Sequence, residues 1–173
     1  MSLRGTFGRL AVLVSAAVLA PTFSLGEEAQ PDSPTIYVGG PAALDVLRAA
    51  HLAARRLREP GCQRVLDDFT DREGRPLRER LGAMTPAAYL VGLVLREGEI
   101  PRGSGRCASP GAAAFTVDGA AVFVCGTSFA RLGRGARANA LIHEMLHTLG
   151  LRENPPSSAE ITRRVTEHCG GSR

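Results

Sequence analysis

Residues 138–150 read ANALIHEMLHTLG and form the most strongly patterned stretch of the 173-residue chain. Their large apolar side chains recur at the spacing of one buried helical face, namely Leu141, Ile142, Met145, Leu146 and Leu149. Gly150 stands where a residue of left-handed conformation commonly ends a helix. The stretch therefore predicts a core helix that ends close to residue 149, with the rest of the domain packed around it.

Two histidines and a glutamate within this stretch form the pattern His-Glu-x-x-His. His143 and His147 are four residues apart, so on a helix they share a face and can bind a single metal ion. Zinc accepts neutral imidazole, and a catalytic zinc site keeps one position for water. Glu144 is rotated by about 100° from His143, where its carboxylate can act as general base on that water. The pattern predicts a Zn²⁺ site with both histidines as ligands and Glu144 as the catalytic residue.

The same stretch resembles the active-site helix of the zincin metallopeptidases, over about 30 residues at the C-terminal end of the chain. The resemblance implies a zinc-dependent peptidase of a small secreted bacterial type. The pattern His143-x-x-x-His147-x-x-Gly150 is also similar to the start of the metzincin signature, in which a histidine would stand at position 153. This chain has Glu153 there, and no methionine follows Met145 to form a Met-turn. The chain more closely resembles the gluzincins, whose third ligand is a glutamate on a second helix.

Three glutamates are candidates for that third zinc ligand. A second helix is predicted after the turn at residues 154–156, with a serine as its N-cap. Glu160 lies in its first turn, which so short a connection should bring back toward the metal. We rank Glu160 first, Glu153 second and Glu167 third. Glu160 also has a purely structural interpretation, because Ser157-x-x-Glu160 forms a capping box.

The rest of the chain predicts a small α+β domain. The predicted elements are, in chain order, a strand at 35–38, a helix at 41–59, mostly helical segments over 62–99, and strands at 113–117 and 120–124. Asp118-Gly119 between the last two strands is a strong hairpin signal. Residues 35–173 are therefore expected to form one predominantly helical, zincin-like domain with a β-hairpin before the active-site helix.

The N-terminus predicts export from the cytosol. Residues 1–26 contain two arginines, then a short apolar run, then small residues, which is the order of a secretory signal peptide. Residues 27–34 are polar and turn-prone and predict a flexible tail. The protein is therefore expected to be secreted or periplasmic, with no membrane span after removal of the signal peptide.

Four cysteines in an exported protein predict two disulfide bonds, because the environment is oxidising. The sequence leaves three pairings open. We favour Cys107 with Cys125, which flank the hairpin, and Cys62 with Cys169, which would tie the C-terminal segment back to the domain.

Charge and composition limit the choice of partner. All 21 basic residues are arginines, and the formal net charge is only +4. So small a charge is poor support for a nucleic-acid partner. The expected protein is a monomeric zinc peptidase that acts on a peptide or protein substrate. The alternatives are a non-catalytic zinc-binding or disulfide-stapled binding module, and a zinc hydrolase of a non-peptide amide.

Overall fold

The computed structural model describes residues 33–99, 105–117, 119 and 121–170. The predicted signal peptide, residues 1–26, lies outside these residues, and so do most of the predicted tail and Asp118 of the hairpin turn. Within the described ranges, no helix is both long enough and apolar enough to cross a lipid bilayer.

The described chain has the predicted α+β architecture. Its helices are α1 (Ala42–Arg58), α2 (Pro60–Gln63), α3 (Pro86–Gly92), α4 (Gly126–Arg131), α5 (Arg134–Thr148) and α6 (Ser158–Cys169). Its strands are β1 (Thr35–Tyr37), β2 (Val94–Glu97), β3 (Ala114–Val117) and β4 (Ala121–Val124). Short 3₁₀ helices occur at Arg64–Leu66, Leu77–Leu81 and Arg106–Ala108. The hairpin precedes α5, the predicted active-site helix, as expected.

The four strands form one mixed sheet in the order β1-β2-β4-β3. Strands β1, β2 and β4 are parallel to one another, and β3 pairs antiparallel to β4 across the hairpin. Strand β3 therefore lies at an edge of the sheet, on the side that contacts α5. This position places the hairpin beside the histidine-bearing helix.

Strand β2 is an element that the sequence pattern missed, because residues 62–99 were predicted to be mostly helical. Only Val94 and Leu95 are apolar in this four-residue strand, and they follow directly on the apolar residues of α3. The strand is stabilised by hydrogen bonding to β1 on one side and β4 on the other. Its partners are distant in sequence, so local periodicity gave no indication of it.

Helix α5 is central to the core and contacts α1, α6, β3 and β4. The predicted apolar face is confirmed, since these five residues are at most 2% exposed: Leu141, Ile142, Met145, Leu146 and Leu149. Burial of each such side chain stabilises the fold by about 1.5–3 kcal/mol. The core thus fixes the rotation of α5, and with it the direction in which the remaining face points.

Both disulfide bonds have the pairing that the sequence analysis favoured. Cys62 in α2 is bonded to Cys169 at the end of α6, across 107 residues of sequence. Cys107 in the turn before β3 is bonded to Cys125, the residue after β4. The first bond holds α6 against the rest of the domain, and the second holds the loop before β3 next to the sheet.

Candidate metal centre

Helix α5 brings the three residues of the His-Glu-x-x-His pattern to one wall of a cleft. His143 and Glu144 are 7% and 8% exposed, and His147 is half-buried. The Nε2 atoms of His143 and His147 are 3.1 Å apart, so the two rings converge on one point. The structure therefore gives the two histidines the arrangement that the i, i+4 spacing predicts.

The chain turns back immediately after α5, and Gly150 makes this turn possible. Gly150 has a φ of 104°, a backbone conformation that other residues rarely adopt. The N–H of Leu151 donates to the carbonyl of Leu146, which closes the helix end. A Cβ at Gly150 would lie 3.2 Å from the Cβ of Asp71, so the turn is also tightly packed.

This turn places Glu153 beside the histidines. Its Oε1 atom is 3.4 Å from Nε2 of His147 and 3.7 Å from Nε2 of His143. These three side chains are the one set of histidine, cysteine or carboxylate groups within the described residues that converges closely enough to hold a metal ion. Glu153 occupies the position at which the metzincin signature would have a histidine.

The ranking of the third ligand therefore changes, because Glu160 is outside this group. The Glu160 side chain is 47% exposed and its Oε1 is 3.6 Å from Nη2 of Arg163. Its own N–H donates to Oγ of Ser157, which confirms the predicted N-cap. Glu167, the third candidate, also pairs with Arg163. The turn at Gly150 reverses the chain before the second helix begins, so residue 153 returns to the histidines and residue 160 does not.

The donor geometry fits a tetrahedral zinc ion. Ligand bonds of about 2.0–2.1 Å at tetrahedral angles require neighbouring donors to lie about 3.3 Å apart. The three donor separations here are 3.1, 3.4 and 3.7 Å. Two imidazoles and one carboxylate are also a ligand set typical of catalytic zinc sites, which keep the fourth position for water.

Both histidines have a second hydrogen-bonding partner on Nδ1. Nδ1 of His147 lies 2.9 Å from the carbonyl oxygen of Leu151, which can only accept, so in the neutral form of the ring Nδ1 carries the proton and Nε2 has the free lone pair. Nδ1 of His143 lies 3.1 Å from the Thr162 hydroxyl on α6, which can donate or accept. Such partners orient metal-binding imidazoles and set their tautomers.

The ionisation of the site also favours metal binding. Burial, reinforced by the neighbouring His147, lowers the pKa of His143 to about 4, although Glu153 opposes this effect. His143 is therefore neutral near pH 7, the form in which imidazole binds a metal. Burial raises the pKa of Glu144 above its usual value, against the opposing effects of His147 and a hydrogen bond from Thr116.

Thr116 is a site residue that the sequence analysis missed. Its hydroxyl on β3 donates to Oε2 of Glu144 at 2.9 Å, so one oxygen of the carboxylate is held, whereas no described residue donates to the other. A threonine in a short strand is ordinary, and its contact with Glu144 depends on how β3 docks on α5. No local sequence signal distinguishes it from other strand threonines.

The candidate metal-binding residues His143, His147 and Glu153, called the metal group below, open into a cleft of about 1110 Å³. The cleft is lined by α5, by edge strand β3, by the loop that carries Glu153 and by the face of α6 that carries Thr162. Glu144 lines this cleft beside the metal group but is not one of its donors.

Comparisons with protein-family models, with curated protein sequences and with solved structures found no match to this chain. The chemistry of the site itself is therefore the basis for assigning a function to this chain.

Proposed function

We propose that the protein is a secreted or periplasmic zinc-dependent peptidase. The observation that carries the proposal is the placement of three zinc-type donors at tetrahedral spacing, with a buried non-ligand carboxylate beside them in an open cleft. The two disulfide bonds support the proposed location, because such bonds persist in oxidising compartments. The motif-level resemblance to zincins supports the same class of reaction.

Each residue has a distinct part in the proposed reaction. His143, His147 and Glu153 would hold the zinc ion, which would supply Lewis-acid activation of the scissile carbonyl and of a water molecule. Glu144 takes the proton of the attacking water and delivers it to the leaving amine. Thr116 binds Oε2 of Glu144 and leaves Oε1 for the proton. Burial raises the pKa of Glu144, which makes its carboxylate a stronger base than an exposed one.

A peptide is the substrate that the cleft suits best. Strand β3 is at the edge of the sheet and lines the cleft next to Glu144. An edge strand can pair with an extended peptide through main-chain hydrogen bonds. A compact non-peptide amide would leave this edge unused.

A non-catalytic zinc module is the second candidate, and the ligand set argues against it. Structural zinc sites are closed by four protein ligands. In the described part of the chain the group has three, and the cleft lies on its remaining side. A purely structural site would also have no use for the buried carboxylate of Glu144.

The test compares peptide cleavage by the zinc-loaded mature protein with that of a Glu144→Gln variant, using a diverse peptide library read by mass spectrometry. We expect chelator-sensitive cleavage, a loss of about 10²–10⁴-fold in Glu144→Gln, and unchanged zinc content of one ion per chain. Glu79→Gln, which alters an exposed glutamate outside the cleft, is the control and should retain activity. Full activity in Glu144→Gln, or no chelator-sensitive cleavage of any peptide, would overturn the proposal.

A further inference from the structure

The cleft has a marked excess of positive charge. Among the described residues that line it are four arginines, Arg56, Arg72, Arg106 and Arg152, and two acidic residues, Glu144 and Glu153. Both glutamates already have roles at the metal group. A bound divalent ion would add further positive charge to the same space.

Within the described part of the chain, these arginines differ from about half of the arginines elsewhere in having no acidic partner. Within the described residues, none of the four forms an ion pair with a carboxylate. Six arginines outside the cleft do so, namely Arg75, Arg78, Arg80, Arg137, Arg163 and Arg164. Arginines that lie together without counter-charges raise the local potential and attract anionic ligands.

The arginines are distributed along the whole of α5. Arg56 donates to Oδ1 of Asn139 at 2.7 Å, one helical turn before His143. Arg106 lies over the ring of Phe115 and its Nη1 is 3.4 Å from the carbonyl oxygen of Thr116, level with the catalytic glutamate. At the far end, Arg72 follows Asp71, which packs on Gly150.

The length of this array fits a short extended peptide. The ten residues from Asn139 to the helix end at Thr148 span nine helical steps, which correspond to about 14 Å. An extended peptide covers this length with about four residues. Positive charge therefore lies on both sides of the metal group, within about two residues of a scissile bond held there.

We propose that the substrates are acidic peptides, with aspartate or glutamate side chains on both sides of the cleaved bond and within about two residues of it. This inference rests on the proposed peptidase function and names its substrate class. Arginine forms bidentate hydrogen bonds with carboxylates, so Arg72, Arg106 and Arg152, whose side chains are exposed, are the residues that meet the substrate charges. Arg56 donates hydrogen bonds to Gly135 and Asn139, so it adds positive charge to the cleft without a direct contact to the substrate.

The test uses matched hexapeptides with a central Ala-Leu bond, in which two aspartates or glutamates on each side are compared with asparagine or glutamine. This exchange removes charge and keeps shape. We expect kcat/KM for the acidic peptides to be at least tenfold higher at low salt, with the difference shrinking as ionic strength rises. Equal cleavage of acidic and amide peptides would overturn the inference and leave the peptidase function intact.

Variants locate the preference in the cleft. Arg106→Gln and Arg72→Gln should each lower kcat/KM for the acidic peptides at least fivefold, with a smaller loss for the amide peptides. Arg55→Gln, which alters an exposed arginine on α1 outside the cleft, should change neither. An equal effect of Arg55→Gln and Arg106→Gln would show that general surface charge is responsible and would overturn the assignment.

A binding measurement separates the two proposals. Fluorescence anisotropy with a fluorescein-labelled acidic hexapeptide and the zinc-loaded Glu144→Gln variant reports occupancy without turnover. Tighter binding than to the amide peptide, weakened by Arg106→Gln, supports the acidic occupant. If that result comes with no cleavage of any peptide by the unmodified protein, the peptidase function fails and the acidic ligand remains. Equal binding of both peptides would contradict the inference whatever the activity.

Discussion

Helix α5 and the segment that follows it, residues 151–169, meet at the candidate metal centre, but their residues are positioned in different ways. The two histidines are placed by helical geometry alone, because residues four apart share a face. Glu153 and Thr162 are placed by the turn at Gly150 and by the docking of α6. The positions of the two histidines thus follow from local helix geometry, whereas those of Glu153 and Thr162 depend on contacts between elements.

Removal of the proposed third ligand should have the largest effect on the site. Glu153→Ala leaves two histidines, and loss of a direct ligand should exceed the 10–100-fold effect of losing a supporting hydrogen bond, so we expect zinc affinity to fall by more than about 100-fold. Glu160→Ala should leave affinity unchanged because Glu160 contacts Arg163 instead. Competition titration with a chromogenic chelator measures both. Tight binding of one zinc by Glu153→Ala would show that the turn does not supply the ligand.

Substitution of Gly150, the turn glycine, should disturb the position of Glu153 through the backbone. Gly150→Ala forces a side chain into φ 104° and brings its Cβ to 3.2 Å from Asp71, so the free energy of unfolding should fall by about 1–3 kcal/mol. Zinc affinity should fall with it, since Glu153 follows the turn. Gly39→Ala is the control, because nothing lies within 4 Å of its added Cβ. Urea unfolding of the two variants compares them, and equal losses would contradict this view of Gly150.

The contact from α6 should have a smaller effect. Thr162→Val removes the hydroxyl beside Nδ1 of His143, and we expect a loss of zinc affinity of about tenfold with little change in stability. Thr166→Val, one turn later, contacts Asn139 and neither histidine, so its zinc affinity should match that of the unmodified protein. Isothermal titration calorimetry distinguishes the two. Identical affinities would mean that α6 does not orient the ligand.

Substitution of Asp71, in the loop that packs on Gly150, should give the smallest effect. We expect it as a change in how stability depends on pH. Burial opposes ionisation of Asp71, but the N–H groups of Arg75 and Glu73 and the Arg75 guanidinium donate to it and hold its pKa below the usual value. A carboxyl with a lowered folded-state pKa stabilises the fold above its unfolded pKa of about 4, and this stabilisation is lost as pH falls further.

Asp71→Asn should therefore lower stability at pH 7 and reduce the loss of stability between about pH 5 and pH 2. Thermal unfolding across this range measures the difference. Glu79→Gln, which changes an exposed glutamate without an ion pair in the described chain, should retain the acid dependence of the unmodified protein. An unchanged acid dependence in Asp71→Asn would show that ionised Asp71 does not stabilise the fold.

The sequence predicted the elements whose signals are local. The apolar spacing in α5, the serine N-cap of α6 and the Asp-Gly hairpin were all readable, and the structure confirms these elements. Strand β2 was missed because its stability comes from pairing with β1 and β4. The contact between Thr116 and Glu144 was missed for the same kind of reason, since it depends on two elements separated in sequence.

By itself, the sequence determined the histidine pair, the position of Glu144 beside it and the presence of a turn after α5, because helical hydrogen bonding and glycine geometry act within a few residues. The tertiary structure decided which glutamate joins the histidines, which hydroxyl holds Glu144 and which arginines line the cleft. Those choices depend on the direction of the chain after Gly150 and on the docking of β3 and α6 against α5. Such directions are set by packing over the whole domain, which local periodicity does not record.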